Sequence, residues 1–516
     1  MTITLLDSNK FDFNDLFIFE MANNHQGDLE HGKRIVRDVA AVAKKHGVKA
    51  GVKLQFRDLD TFVHPDSRAD TQNKHIPRFL STRLSTEQFA ELVTEIKTQG
   101  LISICTPFDE PSVDQLKKLG VEVLKIGSCS AKDWPLLDKA AKARLPMIVS
   151  TGGLTTEDTD KLAFFLEHRY AHFALMHCVA IYPTPPSDLQ LSQISRMKRR
   201  YPDVTVGFST HERPDNVTAI QMAYALGARI FEKHVGVETE QYKLNAYSAT
   251  PEQVDRWIAA YQEAVASYGP KTQRAIDPKE IGDLLSLQRG IFAKVQLKEG
   301  EEITSDEIFF AFPIREGQLP SGRWRTGLRA NRNYAPNEPL DMAVRPPGYS
   351  TKEHVHRAVW MLRGMLNEAG ITLNPESDFE VELSHHYGIE RFREIGVTIV
   401  TVINREYCKK LLVVFPGQQH PYHHHIRKEE TFHVLSGDFW SELEGRKRLI
   451  YPGDVLVVPR GVKHRFWSEG GAIVEEVSTT HYNNDSVYED PRIANTPREH
   501  RKTKLDGWGR HFDFDD

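Results

Sequence analysis

The stretch Leu16–Gln55, LFIFEMANNHQGDLEHGKRIVRDVAAVAKKHGVKAGVKLQ, decides the architecture of the first half of the chain. It opens on an apolar run, Leu16–Ala22, that breaks into polar residues. A segment follows, Lys33–His46, in which Ile35, Val36, Val39, Ala40 and Ala43 recur at helical spacing. A second apolar run, Gly51–Gln55, then begins. Near-continuous apolar strands alternating with amphipathic helices are the pattern of a parallel sheet covered on both faces. The unit recurs at Leu101–Phe108, Val123–Ser128, Met147–Gly153, Phe173–Val179, Thr205–Thr210 and Arg229–Val235. Eight strands in roughly 250 residues predict an α/β fold of the (β/α)8, or TIM, barrel type. A doubly wound open sheet is the structural alternative.

Beyond Pro270–Pro278 the pattern changes. Residues 287–346 read as short strands and turns, with two similar phrases, LKEGEEIT and YAPNEPLD, each a strand, a turn and a polar exit. Helical periodicity returns at Glu353–Ala369 and reads as a connector. From Phe379 to Ser478 alternating β patterns dominate, with turn signals at Pro416-Gly417, Ser436-Gly437, Pro452-Gly453 and Arg460-Gly461. They predict a compact β-barrel or jelly roll.

Composition is that of an ordinary globular chain. Its 516 residues suggest three or so domains, with 40% hydrophobic and 27% charged side chains. Lys plus Arg number 66 against 71 Asp plus Glu, a net charge of −5, so no basic excess points to nucleic acid. No apolar run reaches the ~18–20 residues of a membrane span. The opening MTITLLDSNK does not read as a secretory signal, and Cys105, Cys129, Cys178 and Cys408 give no disulfide framework. The expected compartment is the cytoplasm, with neither nucleic acid nor membrane as partner.

In a (β/α)8 barrel the chemistry lies at the C-terminal ends of the strands. There this sequence places Glu20, Lys53, Gln55, Thr106, Lys125, Ser128, Ser150, Tyr182, Ser209, His211, Glu232 and His234. Two lysines among hydroxyls and glycine-rich backbone suit an anion carrying phosphate and carboxylate. His211 and His234, on neighbouring strands, make half of a divalent-metal site that water and substrate oxygens would complete.

The motifs FEMANNHQGD, VKLQF, CTPFD, LKIGS, IVSTGG, HCVAIYPTP, FSTHE and FEKH occur in this order, and the set resembles the sialic acid (N-acetylneuraminate) synthase family. RGIFAKVQLKEGEEITSDEI is similar to that family's antifreeze-like, or SAF, domain. The likeness spans residues 12–346. It implies condensation of phosphoenolpyruvate with an open-chain aldose, giving a 3-deoxy-2-keto sugar acid and phosphate. It further implies Mn2+ or another divalent ion on His211 and His234. Phosphoenolpyruvate would lie against Lys53, Lys125, Ser128, Ser150 and Ser209, and the acidic groups would be Glu20 and Glu232. A homodimer in which the SAF domain caps the partner's barrel is implied as well. The sugar side departs from the family pattern. Val179-Ala180 replace Thr-Asn, Thr210 replaces Asp, Cys129-Ser130 replace a Gly-Glu pair, and Phe312-Pro313-Ile314 stand where the SAF domain has Arg-Pro-Gly. The acceptor is therefore expected to differ from N-acetylmannosamine.

The segment Gly417–Gly437, GQQHPYHHHIRKEETFHVLSG, and GDVLVVPRGVKH at Gly453–His464 fit the two cupin motifs. His423 and His425, two apart on a strand, point to one face. Glu430 and His464 complete a three-imidazole, one-carboxylate set that suits Mn, Fe, Ni or Zn. His420 and His424 are not expected to be ligands. The phrase His423-x-His425-x2-Lys428-x-Glu430 resembles cupin sugar isomerases of the lyxose isomerase type, which implies that Lys428 contacts a sugar. The expected domains are then a synthase barrel at 1–275, SAF at 285–347, a helical connector at 351–375, cupin at 376–482 and a tail at 483–516 with no assigned fold. Two rival functions remain: a Schiff-base aldolase, and a non-enzymatic carbohydrate sensor.

Overall fold

A computed structural model of the chain describes residues 11–70, 72–270, 274–344, 347–374 and 379–505. The opening decapeptide and residues 506–516, on which two of the sequence readings fall, lie outside the described residues. The chain divides into two compact units, Met1–Ala275 and Ile276–Asp516.

The first unit is a closed barrel of eight parallel strands: β1 Leu16–Glu20, β2 Lys49–Phe56, β3 Ile102–Pro107, β4 Val123–Ile126, β5 Met147–Ser150, β6 Phe173–Cys178, β7 Thr205–Thr210 and β8 Ile230–His234. β8 returns to β1 with Ile230 opposite Leu16 and His234 opposite Glu20. That closure excludes the open sheet. The helix Leu29–His46 buries the five residues read from its periodicity; Asp28 caps its start and Gly47, at φ +64°, ends it.

Side chains alternate across each strand, and this alternation builds the site. Leu16, Ile18, Ile104, Val123, Ile148, Ala174, Met176 and Ile230 fill the barrel interior. Two residues further along the same strands stand Glu20, Thr106, Lys125, Ser150, Cys178 and Glu232. On β2 and β7 the interior position below Lys53 and Ser209 is glycine. A Cβ at Gly51 would lie 2.7 Å from the Ile102 carbonyl oxygen, and one at Gly207 would lie 2.9 Å from that of Ile230. The outward faces pack against the helices in a separate core.

In the second unit, β9 Gly290–Ala293 and β10 Ile308–Ala311 form an antiparallel pair. The two repeated phrases meet through a bridge from Leu297 to Tyr334 and share a core with Ile303, Leu328 and Leu340. The helix Thr351–Glu368 does more than connect. Val355, Ala358, Val359, Leu362 and Leu366 are buried against Val381, Leu383, Leu411, Val413 and Phe415 of the following sheet.

The remaining strands are β11 Glu380–His385, β12 Gly396–Asn404, β13 Tyr407–Val414, β14 Gln419–His425, β15 Glu430–Gly437, β16 Phe439–Leu443, β17 Arg446–Ile450, β18 Val455–Val458, β19 His464–Trp467, β20 Ala472–Thr479, β21 Ser486–Tyr488 and β22 Lys502–Leu505. They form a sheet ordered β18-β15-β20-β13-β12-β11-β22 and another ordered β17-β16-β19-β14-β21. Phe432, Val434, Phe439, Phe466 and Val474, with Val397, Leu412 and Val414, make an apolar core drawn from both sheets. The segment to which the sequence assigned no fold supplies β21, paired with His423–His425, and β22, paired with Val381–Ser384. Its composition is polar, but backbone pairing to existing strand edges needs no apolar run of its own.

Candidate active site and metal centre

At the C-terminal end of the barrel, two lysines and two carboxylates form one lattice. Lys53 Nζ lies 2.8 Å from Glu232 Oε1 and also pairs with Glu20. Lys125 Nζ is 3.3 Å from Glu232 Oε2 and donates to Ser150 Oγ at 2.6 Å. Ser209 Oγ donates to Glu232 Oε1 at 3.3 Å, and Gln55 Nε2 to Glu20 Oε1 at 3.1 Å. The four charged groups come from β1, β2, β4 and β8, are all buried, and sum to zero. Burial pulls the Lys53 ammonium down to about 8 against the pull of Glu232. For Glu232 burial works the other way, yet Lys125 and Lys53 hold it below the usual carboxylate range. Both lysines are thus matched by carboxylates, and an incoming anion would have to displace Glu232 from them.

His211 and His234 lie beside this lattice, their ring centres 5.3 Å apart. Burial pushes His211 down to about 4. His234 falls far below its ordinary value through burial, then through the His211 ring and Lys53. Both imidazoles are thus neutral, the form that binds a metal. His211 Nδ1 is 2.9 Å from the Val179 carbonyl. A carbonyl only accepts, so Nδ1 carries the hydrogen and the Nε2 lone pair is free for a ligand. Two neutral imidazoles side by side fit two ligands of a divalent ion.

The other expected residues stand around this centre. Ser128, in the turn after β4, accepts from Gly152 N at 3.0 Å. Tyr182, in the loop after β6, packs on His211 with ring centres 4.1 Å apart and planes tilted by 48°. Thr106 Oγ1 is buried without a hydrogen-bond partner. Two residues were not singled out from the sequence. Tyr247 packs against His234 at 5.1 Å, from a loop that carries no periodic signal. Arg57 follows Gln55 at the end of β2 and donates to Gln55 Oε1 at 3.1 Å; strand alternation from Lys53 through Gln55 would have reached it.

In the cupin fold His423, His425, Glu430 and His464 converge, their ligand atoms all within 4.8 Å of one another. Among the described residues no other group of three or more His, Cys, Asp or Glu side chains meets that spacing. His425 Nε2 lies 3.2 Å and His464 Nε2 3.1 Å from the two Glu430 oxygens. His423 Nδ1 and His464 Nδ1 face the Pro421 and Val462 carbonyls at 3.1 and 3.0 Å, which turns each Nε2 inward. The folded tail adds Asp485, 3.9 Å from His425 Nδ1, whose carboxylate also accepts from the backbone N–H of Ile426, Arg427 and Lys428. Lys428 bridges Glu430 and Glu476, the latter at 2.9 Å. Burial would lower this ammonium, but the two carboxylates raise it. A register shift between His420 and His423 turns His420 inward, 4.5 Å from the His423 ring, yet it stays outside the four-ligand set. The three nitrogens and one carboxylate fit a divalent transition metal. The cavity there measures about 50 Å³, room for an ion and a few waters.

The NeuB family model matches residues 39–273, and the Cupin domain model matches residues 410–479. An uncharacterised protein of Methanocaldococcus jannaschii is 32% identical over 302 residues, 58% of this chain and 85% of that one. The N-acetylneuraminate-9-phosphate synthase of Drosophila melanogaster is 29% identical over 317 residues, 55% of this chain and 82% of that one. Among solved structures, a Chromobacterium violaceum protein assigned as spore coat polysaccharide biosynthesis protein E is 44% identical with a TM-score of 0.61. The match covers 64% of this chain and all of that one.

Proposed function

Because the chain belongs to the NeuB family and carries a cupin domain after it, we propose that its barrel condenses phosphoenolpyruvate with an open-chain aldose. A bond forms between carbon 3 of phosphoenolpyruvate and the aldehyde carbon. A water oxygen joins carbon 2, phosphate leaves from it, and a 3-deoxy-2-keto sugar acid results. The observation that carries this reading is the Lys53–Glu232–Lys125 lattice with two neutral imidazoles beside it.

Each residue then has a task. Lys53 and Lys125, with Ser128, Ser150 and Ser209, bind the phosphate and carboxylate of phosphoenolpyruvate, taking over from Glu232 as partners. Gln55 and Thr106 orient the substrates and Tyr182 walls the pocket over His211. Glu232 and Glu20 hold and move protons at the reacting carbons and their oxygens. Mn2+ or another divalent ion, when held by His211 and His234, supplies Lewis-acid polarisation of the acceptor aldehyde. The changed sugar side, at Cys129, Ser130, Val179, Ala180 and Thr210, supports an acceptor other than N-acetylmannosamine. A homodimer in which the 285–347 module caps the partner's barrel completes the site; light scattering of the full chain checks the oligomer.

The test is an aldose screen with phosphoenolpyruvate and Mn2+, reading phosphate and product mass. Phosphate release with a product heavier than the aldose by the pyruvate unit is the expected result. No release with any aldose would favour a carbohydrate sensor, and trapping by borohydride would favour a Schiff-base aldolase. The pairing of both lysines argues against the aldolase, which needs a free amine in an apolar setting.

The cupin forms a second centre in this proposal: Mn, Fe, Ni or Zn on His423, His425, Glu430 and His464, serving to isomerise or bind a sugar linked to the barrel reaction. His425→Ala that left both bound metal and sugar conversion intact would remove that role.

A further inference from the structure

Next to Gln55 a polar cavity of about 570 Å³ opens, lined by Asn23, His25, Gln55, Arg57, Asp58 and Arg83 among others. It is large enough for a sugar and adjoins the reacting centre through Gln55, which donates to Glu20. Its cations and anions are unequally committed. Arg83 pairs with Asp60 at 2.8 Å. Asp58 accepts from the Asp60 backbone N–H and caps a short helix. Asp109, behind the wall, accepts from Ser112 and from the Asp58 backbone N–H.

Arg57 has no such partner. Its guanidinium lies 3.6 Å from the Phe108 ring centre and 4.1 Å from that of Phe79. Among the described residues its one hydrogen bond goes to a neutral amide, Gln55, and it forms no ion pair. Nε is shut off from water without a partner. Burial lowers the group to about 10, so it stays a cation at neutral pH. A guanidinium fixed between aromatic rings has surrendered its rotamer freedom before any ligand arrives, and its planar fork matches an oxyanion. A partly buried cation, attracted by Asp109 but not paired with it, gains from a ligand that brings a counter-charge to the open side.

We propose that Arg57 reads an anionic substituent on the acceptor, so that the aldose condensed here carries a carboxylate or a phosphate away from its aldehyde. The inference rests on the barrel reading above and names its substrate class. Selectivity would arise because a neutral sugar leaves the guanidinium unmatched in a desolvated wall.

The experiment compares matched acceptors at saturating phosphoenolpyruvate and Mn2+ with the full chain. Each hexose set contains a neutral aldose, its uronate and its terminal phosphate, namely mannose, glucose and galactose with their 6-acids and 6-phosphates; arabinose is paired with its 5-phosphate alone. Product mass reads turnover. The expected result is one anionic member with kcat/KM at least tenfold above its neutral parent; which anion wins distinguishes carboxylate from phosphate. Arg57→Met should then raise the KM for that acceptor tenfold or more, leave the neutral parent within threefold and leave the phosphoenolpyruvate KM within twofold. Arg57→Lys, which keeps the charge but not the fork, should recover part of the loss and shows whether Arg57→Met merely misfolds. Neutral sugars turned over as well as their anionic partners, or Arg57→Met slowing both alike, would overturn the inference while leaving the condensation standing. No turnover of any acceptor would remove both.

Discussion

Replacing Lys125 with methionine should destabilise the barrel through a charge left behind, and the structure gives the size of the effect. Lys125 is buried, and its Nζ sits 3.3 Å from Glu232 Oε2. At an effective dielectric constant of about 20, two unit charges at that separation attract by about 5 kcal/mol. Breaking a buried pair by removing one partner costs about 3–5 kcal/mol. Methionine keeps most of the apolar volume, so the loss is mainly electrostatic. In the natural chain Glu20 and Glu232 balance Lys53 and Lys125. Lys125→Met leaves one uncompensated negative charge in the interior, whereas Lys125→Met with Glu232→Gln restores zero through the Lys53–Glu20 pair. The double variant should therefore be more stable than the single one, although it carries one more mutation. For a domain of this size about 3–5 kcal/mol lowers the barrel's calorimetric transition by roughly 10 °C. Phosphoenolpyruvate should raise that transition in the natural protein and not in Lys125→Met. A double variant no more stable than the single one would show that charge is not what the lattice balances. Full protection of Lys125→Met by phosphoenolpyruvate would show that the ligand binds elsewhere.

Three other outcomes follow from the geometry. His25, held at about 4 by burial and then by Arg78, accepts from Gly27 N through Nδ1; its folded value lies below the unfolded one of about 6.5. Its contribution is thus complete above pH 6.5 and lost as pH falls towards 4, by up to about 3 kcal/mol, and His25→Gln should flatten that part of a stability–pH curve. Chelation of the full chain should lower the cupin transition, and re-addition of a metal at 100 times its Kd should return about 2.7 kcal/mol; in His425→Ala, elemental analysis should find one metal fewer per chain. Truncation after Thr480 removes Asp485 and the β21 and β22 pairings. It should weaken metal retention and increase protease sensitivity of the cupin, whereas a protein unchanged by it would refute the role given to that segment.

The strand order of the barrel and the residues of its upper layer were legible because two simple periodicities coincide: apolar runs flanked by helical spacing, and alternation within each run. Glu20, Lys53, Lys125, Ser150, Ser209 and Glu232 all fall two residues beyond a barrel-filling position or a glycine, and local geometry leaves them one direction to point. The convergence of His423 and His425 in the cupin was legible for a similar reason, since they are two apart on a single strand. Arg57 and Tyr247 were not singled out: the first continues the Lys53–Gln55 alternation one step past the end of β2, where the apolar run read from the sequence had stopped, and the second lies in a loop with no period at all. Asp485 was passed over because its segment carries no apolar pattern.

Sequence alone therefore determined what depends on neighbours along the chain: element type, the count of strand–helix units, the spacing of the two histidines within β14. Only the tertiary structure decided what depends on partners far apart. It set which carboxylate answers which lysine, whether two imidazoles from separate strands stand 5.3 Å apart, and that a polar tail completes a sheet edge and braces His425. Periodicity encodes the direction of a side chain from its own backbone, but the distance between two such side chains is fixed by how every intervening strand packs.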